Sequence, residues 1–232
     1  MSEICGFLIT LKNLIIFKVY KLYDSNFHME LPDLEMSFQE IENLQIAKYL
    51  VLPINAEIEK FQGKIEKLKF PLWIKLNSSE HKLKLDAVKK VSNLEELKKI
   101  YSELQKKFQN QKFILQEDVK GIELIAGIKQ DKTFDKVLLI GSGGSLAELV
   151  KDIEFRILPV DKEEIEKAIK DLRIYKLIEE KNLALNKLID LIKKFSDLTL
   201  EKNIEEADLN PIIVNETQAT IVDARIQVKD ED

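Results

Sequence analysis

One cysteine, two histidines and seven glycines are few for a chain of 232 residues, and each shortage removes a class of chemistry. With Cys5 alone, neither an intrachain disulfide framework nor a thiolate metal site can form, which fits a reducing cytoplasm. So little Cys and His leaves almost no material for zinc catalysis or a Cys–His nucleophile. The signature Gly-x-x-x-x-Gly-Lys-Ser/Thr is absent, which excludes a P-loop enzyme. Gly141-Ser142-Gly143-Gly144 superficially matches a dinucleotide fingerprint, but Leu146 stands where the third glycine belongs, and no early βαβ unit leads into it. A basic face is also missing: 36 Lys and Arg are interleaved with 41 Asp and Glu, a net charge of −5, so no nucleic-acid partner is expected. Lys12, Lys18 and Lys21 interrupt the apolar segment Ile4 to Tyr23 well short of the roughly 20 apolar residues of a spanning helix. Glu3 precedes that segment and no small-residue cleavage site follows it, so a signal peptide is not expected either. The expectation is a soluble, cytoplasmic protein without a membrane partner. Its site must be built from Lys, Asp, Glu, Asn, backbone amides and at most one histidine, a set that suits phosphate and magnesium chemistry.

What is present is enough to build a core: 45% of the residues are apolar. Residues 1–35 stand apart as an N-terminal extension, aromatic-rich and poor in Glu, with alternative starts at Met29 and Met36. They are either an extra element packed on the core or a poorly ordered segment. From Ser37 the pattern is regular. Phe38, Ile41, Leu44, Ile46 and Leu50 predict a helix stopped by Pro53, and Ile58, Phe61, Ile65 and Leu68 predict another. Phe70 to Leu76 reads as a strand with proline confined to its start. Ser92 is expected to cap a helix whose stripe is Leu94, Leu97, Ile100, Leu104 and Phe108. Strands follow at Lys112–Gln116, Glu123–Lys129, Val137–Ile140 and Ile153–Leu158. Then come a helix opened by Asp161, a helix from about Leu183 to Phe195, and strands at Ile212–Asn215 and Thr220–Val222. The sum is an α+β, or mixed α/β, protein.

Four clusters could carry phosphate chemistry. Lys75 sits in an apolar strand, where a charge needs an anion or carboxylate, or else snorkels outward from the strand end. Ser79-Glu80-His81-Lys82 places a histidine beside a lysine, either a phosphoryl acceptor or general base or merely a surface residue. Three of the chain's seven glycines fall in Gly141-Ser142-Gly143-Gly144, a loop that could offer successive amides to a phosphate or simply turn a hairpin. Finally, if Asp208-Leu209-Asn210-Pro211 and Val222-Asp223-Ala224-Arg225 form a hairpin, Asn210 and Asp223 face each other as hard oxygen donors for Mg²⁺; a plain turn is the alternative.

Taken in order, these stretches resemble the ATP-grasp module of NDP-forming acyl-CoA synthetases. Phe70-Pro71-Leu72-Trp73-Ile74-Lys75 resembles that family's Phe-Pro-Val-Val-Leu-Lys strand, and His81-Lys82 its His-Lys pair. Leu115 to Val119 resembles the Val-Gln-Glu segment. The longest match runs from Gly121 to Phe134 and continues through the glycine loop, Glu148 and Asp152-Ile153-Glu154-Phe155-Arg156. The resemblance spans roughly residues 37 to 227. It implies an ATP-grasp fold over 36–232, with a smaller lobe at about 54–115, a larger lobe at about 116–232 and the nucleotide between them. It further implies that Lys75 holds nucleotide phosphates, that Gln116, Glu117, Asp118 and Val119 hinge around adenine, and that Glu123 lies near the ribose. Asn210 and Asp223, with Asp208, would ligate Mg²⁺. Gly141, Gly143 and Gly144 with Arg156 would neutralise the transferring phosphoryl group, with Glu148 at the reacting centre. His81 would take phosphate from a phosphohistidine on a CoA-binding alpha subunit and pass it to ADP, within a hetero-oligomer of two alpha and two beta subunits. The cofactors implied are ATP or ADP and Mg²⁺.

Two departures mark this chain. Leu83-Lys84-Leu85-Asp86-Ala87 replaces a family Gly-Gly pair, and its carboxylate would repel phosphate unless Lys84 or Lys89 pairs with it. Glu179 to Ala184 replaces an expected Gly-x-Arg-Gly segment. Three readings follow: a working beta subunit, a catalytically weak subunit kept for assembly, and an ATP-grasp ligase acting through an acyl phosphate. The second predicts assembly with little Mg-nucleotide affinity; the third predicts activity that survives His81→Ala.

Overall fold

The structure, a computed structural model, describes residues 34–78, 86–144, 152–202 and 204–228. The readings made for residues 1–33, and those for His81, Lys84 and Glu148, lie outside the described residues.

Helix α1 (Leu34–Glu40) is followed by strand β1 (Tyr49–Leu52), helix α2 (Ile58–Ile65), strands β2 (Leu72–Leu76) and β3 (Val88–Val91), helix α3 (Leu94–Lys107) and strand β4 (Phe113–Glu117). The four strands form an antiparallel sheet in the order β1-β4-β2-β3. Strand alternation decides what each face does. Leu72, Ile74 and Leu76 join Leu52, Phe113, Leu115 and Val91 in a core with Ile58, Ile65, Leu97, Tyr101 and Leu104 of α2 and α3. Trp73 and Lys75 therefore point from the other face, where Ile114 enters the core of the second sheet. Asn93, not Ser92, caps α3: its side chain accepts from the Glu96 amide at 2.9 Å, while the Glu96 carboxylate takes the Ser92 amide at 2.7 Å.

The helix expected from Phe38 to Leu50 ends at Glu40. Phe38 and Ile41 are buried as the spacing requires. Beyond them the backbone is drawn into long-range pairing: the Ala47 amide donates to the Ile221 carbonyl at 2.9 Å, and Tyr49–Leu52 pair with Phe113–Gln116. Tertiary partners here override local periodicity.

The second sheet is built from β5 (Ile122–Asp131), β6 (Asp135–Ser142), β7 (Ile153–Ile157), β8 (Ile204–Val214), β9 (Ala219–Ile221) and β10 (Ala224–Val228). Its order is β10-β8-β5-β6-β7, with β9 pairing the far end of β8. One face is covered by α4 (Lys162–Asp171), α5 (Tyr175–Glu180) and α6 (Leu185–Glu201), whose apolar residues pack on Leu124, Ala126, Ile128, Leu138, Ile140, Ala207 and Leu209. Asp161 opens α4 with a capping box to Glu164. Buried Lys136 donates to the Thr199 carbonyl at 2.6 Å, putting a cation on the last turn of α6. β8 is longer than the expected Ile212–Asn215 because it crosses Pro211 at a bulge, where Asn210 and Pro211 together oppose Ile125. The missing N–H of proline is thereby absorbed without breaking the strand.

Candidate active site

The site begins where the two sheets meet. Lys75 is buried, and its ammonium donates to Gln116 Oε1 at 2.6 Å and to the Val222 carbonyl at 3.0 Å. The second bond joins β2 to the β9–β10 connection, 147 residues away in sequence. A lysine so placed is held inside the protein by oxygen partners rather than snorkelling to water.

One residue beyond Val222 lies the expected metal pair. The Asn210 amide donates to the Asp223 carbonyl at 3.0 Å, and the Val222 amide to the Pro211 carbonyl at 3.0 Å, so Asn210 and Asp223 do face each other. The bulge at Asn210-Pro211 sets that meeting. Asp208 is paired in register with Arg225 and lies on the sheet face opposite the helix-packed core. Burial pushes its carboxyl up to about 7; Arg225 pulls it back, Asp223 and Glu206 add their repulsion, and the Asn210 hydrogen bond lowers it again. A carboxyl crowded by like charges is relieved by a bound cation, and two carboxylates with an amide oxygen are hard donors that fit Mg²⁺. Among the described residues no group of three or more His, Cys, Asp or Glu is arranged to hold a metal by itself, so Mg²⁺ here would also take phosphate oxygens or water.

The segment expected to hinge around adenine leaves the first sheet for the second. Gln116 lies wholly buried on β4. Glu117 accepts from the Lys69 amide at 2.9 Å. Asp118 binds the Trp73 indole N–H through Oδ1 at 2.7 Å and the Lys90 ammonium through Oδ2 at 2.7 Å. Burial works to raise the Asp118 carboxyl, but the bonds from Lys90 and Trp73, with the charges of Lys90 and Lys120, hold it below its ordinary value. Val119 follows in the connection to β5. This Trp73–Asp118–Lys90 unit was not foreseen; the tryptophan standing where the family has valine was its one sequence signal.

Glu123 and the glycine loop are brought together. The Gly143 amide donates to the Glu123 carbonyl at 2.7 Å, and a Cβ on Gly143 would stand 2.9 Å from the Glu123 carbonyl carbon, so only glycine fits there. Gly144 has φ +83°, a conformation that favours glycine. Gly141 is paired with Ile125 and Ile153 inside the sheet. The Ser142 and Gly143 amides are thus committed to backbone partners, which leaves Gly144 as the described glycine at the loop's start.

Arg156 is not brought to this group. In register with Leu138, it lies on the helix-packed face, the opposite side of the sheet from Asp208. Its guanidinium meets the Phe155 carbonyl at 2.7 Å, Glu154 at 3.4 Å and Asp171 of α4 at 3.6 Å. Asp86, the carboxylate that departs from the family pattern, pairs with Lys89 at 2.5 Å, which answers the repulsion it threatened. Its φ of 54° keeps the left-handed backbone that glycine would have favoured.

A model of the ATP-grasp domain matches residues 41–228. This chain belongs to the ATP-grasp family. It is 29% identical over 203 residues to "Acetate--CoA ligase [ADP-forming] I subunit beta" of Pyrococcus furiosus, covering 81% of this chain and 86% of that protein. It is 36% identical over 112 residues to "Acetate--CoA ligase [ADP-forming] II" of Archaeoglobus fulgidus, covering 47% of this chain but only 17% of that longer protein. Among solved structures, the dinucleotide-forming acetyl-coenzyme A synthetase 1 of Ca. Korarchaeum cryptofilum in complex with coenzyme A and Mg-AMPPCP, its phosphohistidine segment pointing towards the nucleotide binding site, superimposes with a TM-score of 0.72. That match has 25% identity and covers 84% of this chain and 92% of that one. The mixed α/β architecture with two antiparallel sheets is thus an ATP-grasp fold. Among the described residues no helix is long and apolar enough to cross a membrane.

Proposed function

We propose that this chain is the nucleotide-binding beta subunit of an ADP-forming acyl-CoA ligase, catalysing acyl-CoA + ADP + phosphate to free acid, CoA and ATP in either direction. It would turn over only with a CoA-binding alpha subunit, in a hetero-oligomer of two alpha and two beta subunits. The observation that carries this reading is the Lys75–Val222 bond at 3.0 Å, which seats a cation one residue from the Asn210–Asp223 pair. Phosphoryl transfer needs positive charge and metal together at the phosphates. Lys75, still held by Gln116, would exchange its Val222 partner for nucleotide phosphates. Asp208, Asn210 and Asp223 would hold Mg²⁺, which neutralises phosphate charge when bound. Gln116 to Val119 would border the base, Glu123 the ribose, and Gly144 would face the phosphates. His81 would receive the phosphoryl group from a phosphohistidine of the alpha subunit and deliver it to ADP, and Glu148 would be a further catalytic residue. Arg156, engaged with Asp171 and Glu154, serves the packing of α4 rather than the phosphates. Titration calorimetry of the purified chain with ADP and ATP, with and without Mg²⁺, tests this. Magnesium-dependent binding is expected, and no heat at millimolar nucleotide refutes the nucleotide site. His81→Ala should abolish turnover in the complex with alpha; surviving activity would transfer the assignment to an acyl-phosphate ligase.

A further inference from the structure

We propose that Trp73 is the stacking platform for the nucleobase, so that the site grips a purine nucleoside diphosphate by the face of its base and discriminates little between adenine and guanine. The proposal rests on the nucleotide-site reading above and specifies how that site reads its ligand.

Position is the first argument. Trp73 and Lys75 are alternate residues of β2, so both leave the sheet from the face opposite Leu72, Ile74 and Leu76, about 7 Å apart along the strand. A nucleotide whose phosphates meet Lys75 has its base about that far away if it lies along β2 towards the strand's start. Trp73 stands there, level with Gln116 on β4 and Lys90 on β3, at the end where the chain departs for β5.

The second argument is orientation. The indole N–H is held by Asp118 at 2.7 Å, and Asp118 is held in turn by Lys90, whose ammonium lies 5.4 Å from the ring centroid. Asp118 at the end of β4 and Lys90 of β3 thus fix the aromatic plane of Trp73 on β2. Trp73 keeps partial exposure although the apolar core of its lobe lies on the opposite face. Trp73 belongs to neither of the two apolar cores that flank its sheet. A rigid, partly open ring beside a phosphate-binding cation is what base stacking requires.

The third argument concerns base edges. Both Asp118 oxygens are engaged by Trp73 and Lys90, and Gln116 Oε1 by Lys75. The groups best placed to read a base edge are therefore occupied in positioning Trp73 and Lys75. What remains is Gln116 Nε2, a buried donor without a hydrogen-bond partner among the described residues. A donor there suits a purine N7, an acceptor that adenine and guanine both carry.

Trp73 is the chain's one tryptophan, so its emission reports this ring alone. The full chain is titrated with Mg-ADP, Mg-GDP and Mg-tripolyphosphate, following calorimetry and tryptophan emission together. Both nucleotides should bind within about tenfold of each other and quench the emission, whereas tripolyphosphate should bind without quenching. Trp73→Val should weaken both nucleotides by at least about tenfold and leave tripolyphosphate unchanged, and Trp73→Phe, which keeps an aromatic face, should retain most of the affinity. Nucleotide binding with unchanged Trp73 emission, or undiminished affinity in Trp73→Val, overturns the stacking role while leaving the nucleotide site standing. Strong preference for one purine overturns the face-reading claim. Absence of heat with all three ligands defeats the nucleotide site itself, and this inference with it.

Discussion

Asp208→Asn should gain stability relative to the wild type as pH rises through neutral, and should be less able to use magnesium. The wild-type carboxyl is pushed up to about 7 in the fold from 3.8, by burial first and by Asp223 and Glu206 besides, against the pull of Arg225 and Asn210. A raised folded value means that the folded state holds the proton more tightly than the unfolded chain. The resulting stability is complete below about pH 4 and is lost as pH rises through about 7. Between about pH 5 and about pH 8, linkage with these two values costs the wild type about 2.5 kcal/mol. Asp208 is not wholly shielded as a residue, so this figure is a ceiling. Asparagine keeps the shape and cannot ionise, so the gap between variant and parent should widen by up to that amount across the same range. For a chain of this size it corresponds to a relative Tm shift of about 5–10 °C. Losing the partner of Arg225 adds an offset that is the same at every pH, which is why the pH dependence and not the absolute Tm is the observable. The assay is thermal unfolding from about pH 5 to about pH 8, with and without Mg-ADP. A gap that stays constant with pH, or equal stabilisation of both proteins by Mg-ADP, would refute the picture of a carboxyl crowded by its neighbours and awaiting a cation.

Three further perturbations test the rest of the site. Asn210→Ala or Asp223→Ala should weaken Mg-nucleotide binding at least tenfold, about 1.4 kcal/mol, by calorimetry; unchanged affinity in both removes the metal assignment. Lys75→Met, which fits the same buried space without charge, should lower nucleotide affinity by at least about tenfold while the protein still unfolds cooperatively; nucleotide binding at parental strength would return Lys75 to a structural role. Gly143→Ala sets a methyl 2.8 Å from Glu123 Cβ and 2.9 Å from its carbonyl carbon, so chemical denaturation should show a loss of about 1–3 kcal/mol, and a neutral result would mean the loop can move away from β5.

The parts of this fold that were readable from the chain are those whose partners lie nearby. The alternation in Leu72–Leu76, the stripe of α3 and the Asp161 cap each depend on a few consecutive residues, and each appears where the pattern placed it. β1, β3 and β10 were not read as strands; β1 lies in a run of helical spacing that its long-range partner β4 overrides. The segment after Glu40 shows this sharply: its apolar spacing is helical, but Ala47 finds Ile221 and Tyr49 finds Gln116.

The site divides along the same line. The order of motifs was visible, but their convergence was not, since Lys75 lies on one sheet and Val222, 147 residues away in sequence, beside another that shares no strand with it. Parity settles the rest. Asp208 and Leu209 are neighbours in sequence, yet one faces Asn210 and Asp223 and the other the helices; a single residue of register separates a proposed metal ligand from a core side chain. Arg156 carries the charge that phosphate chemistry wants, but it pairs with Leu138 rather than Leu139, and that step turns it away from Asp208 and towards Asp171. Residue type nominated the candidates in this chain. The registers of β7 and β8 then decided which of them can reach a phosphate.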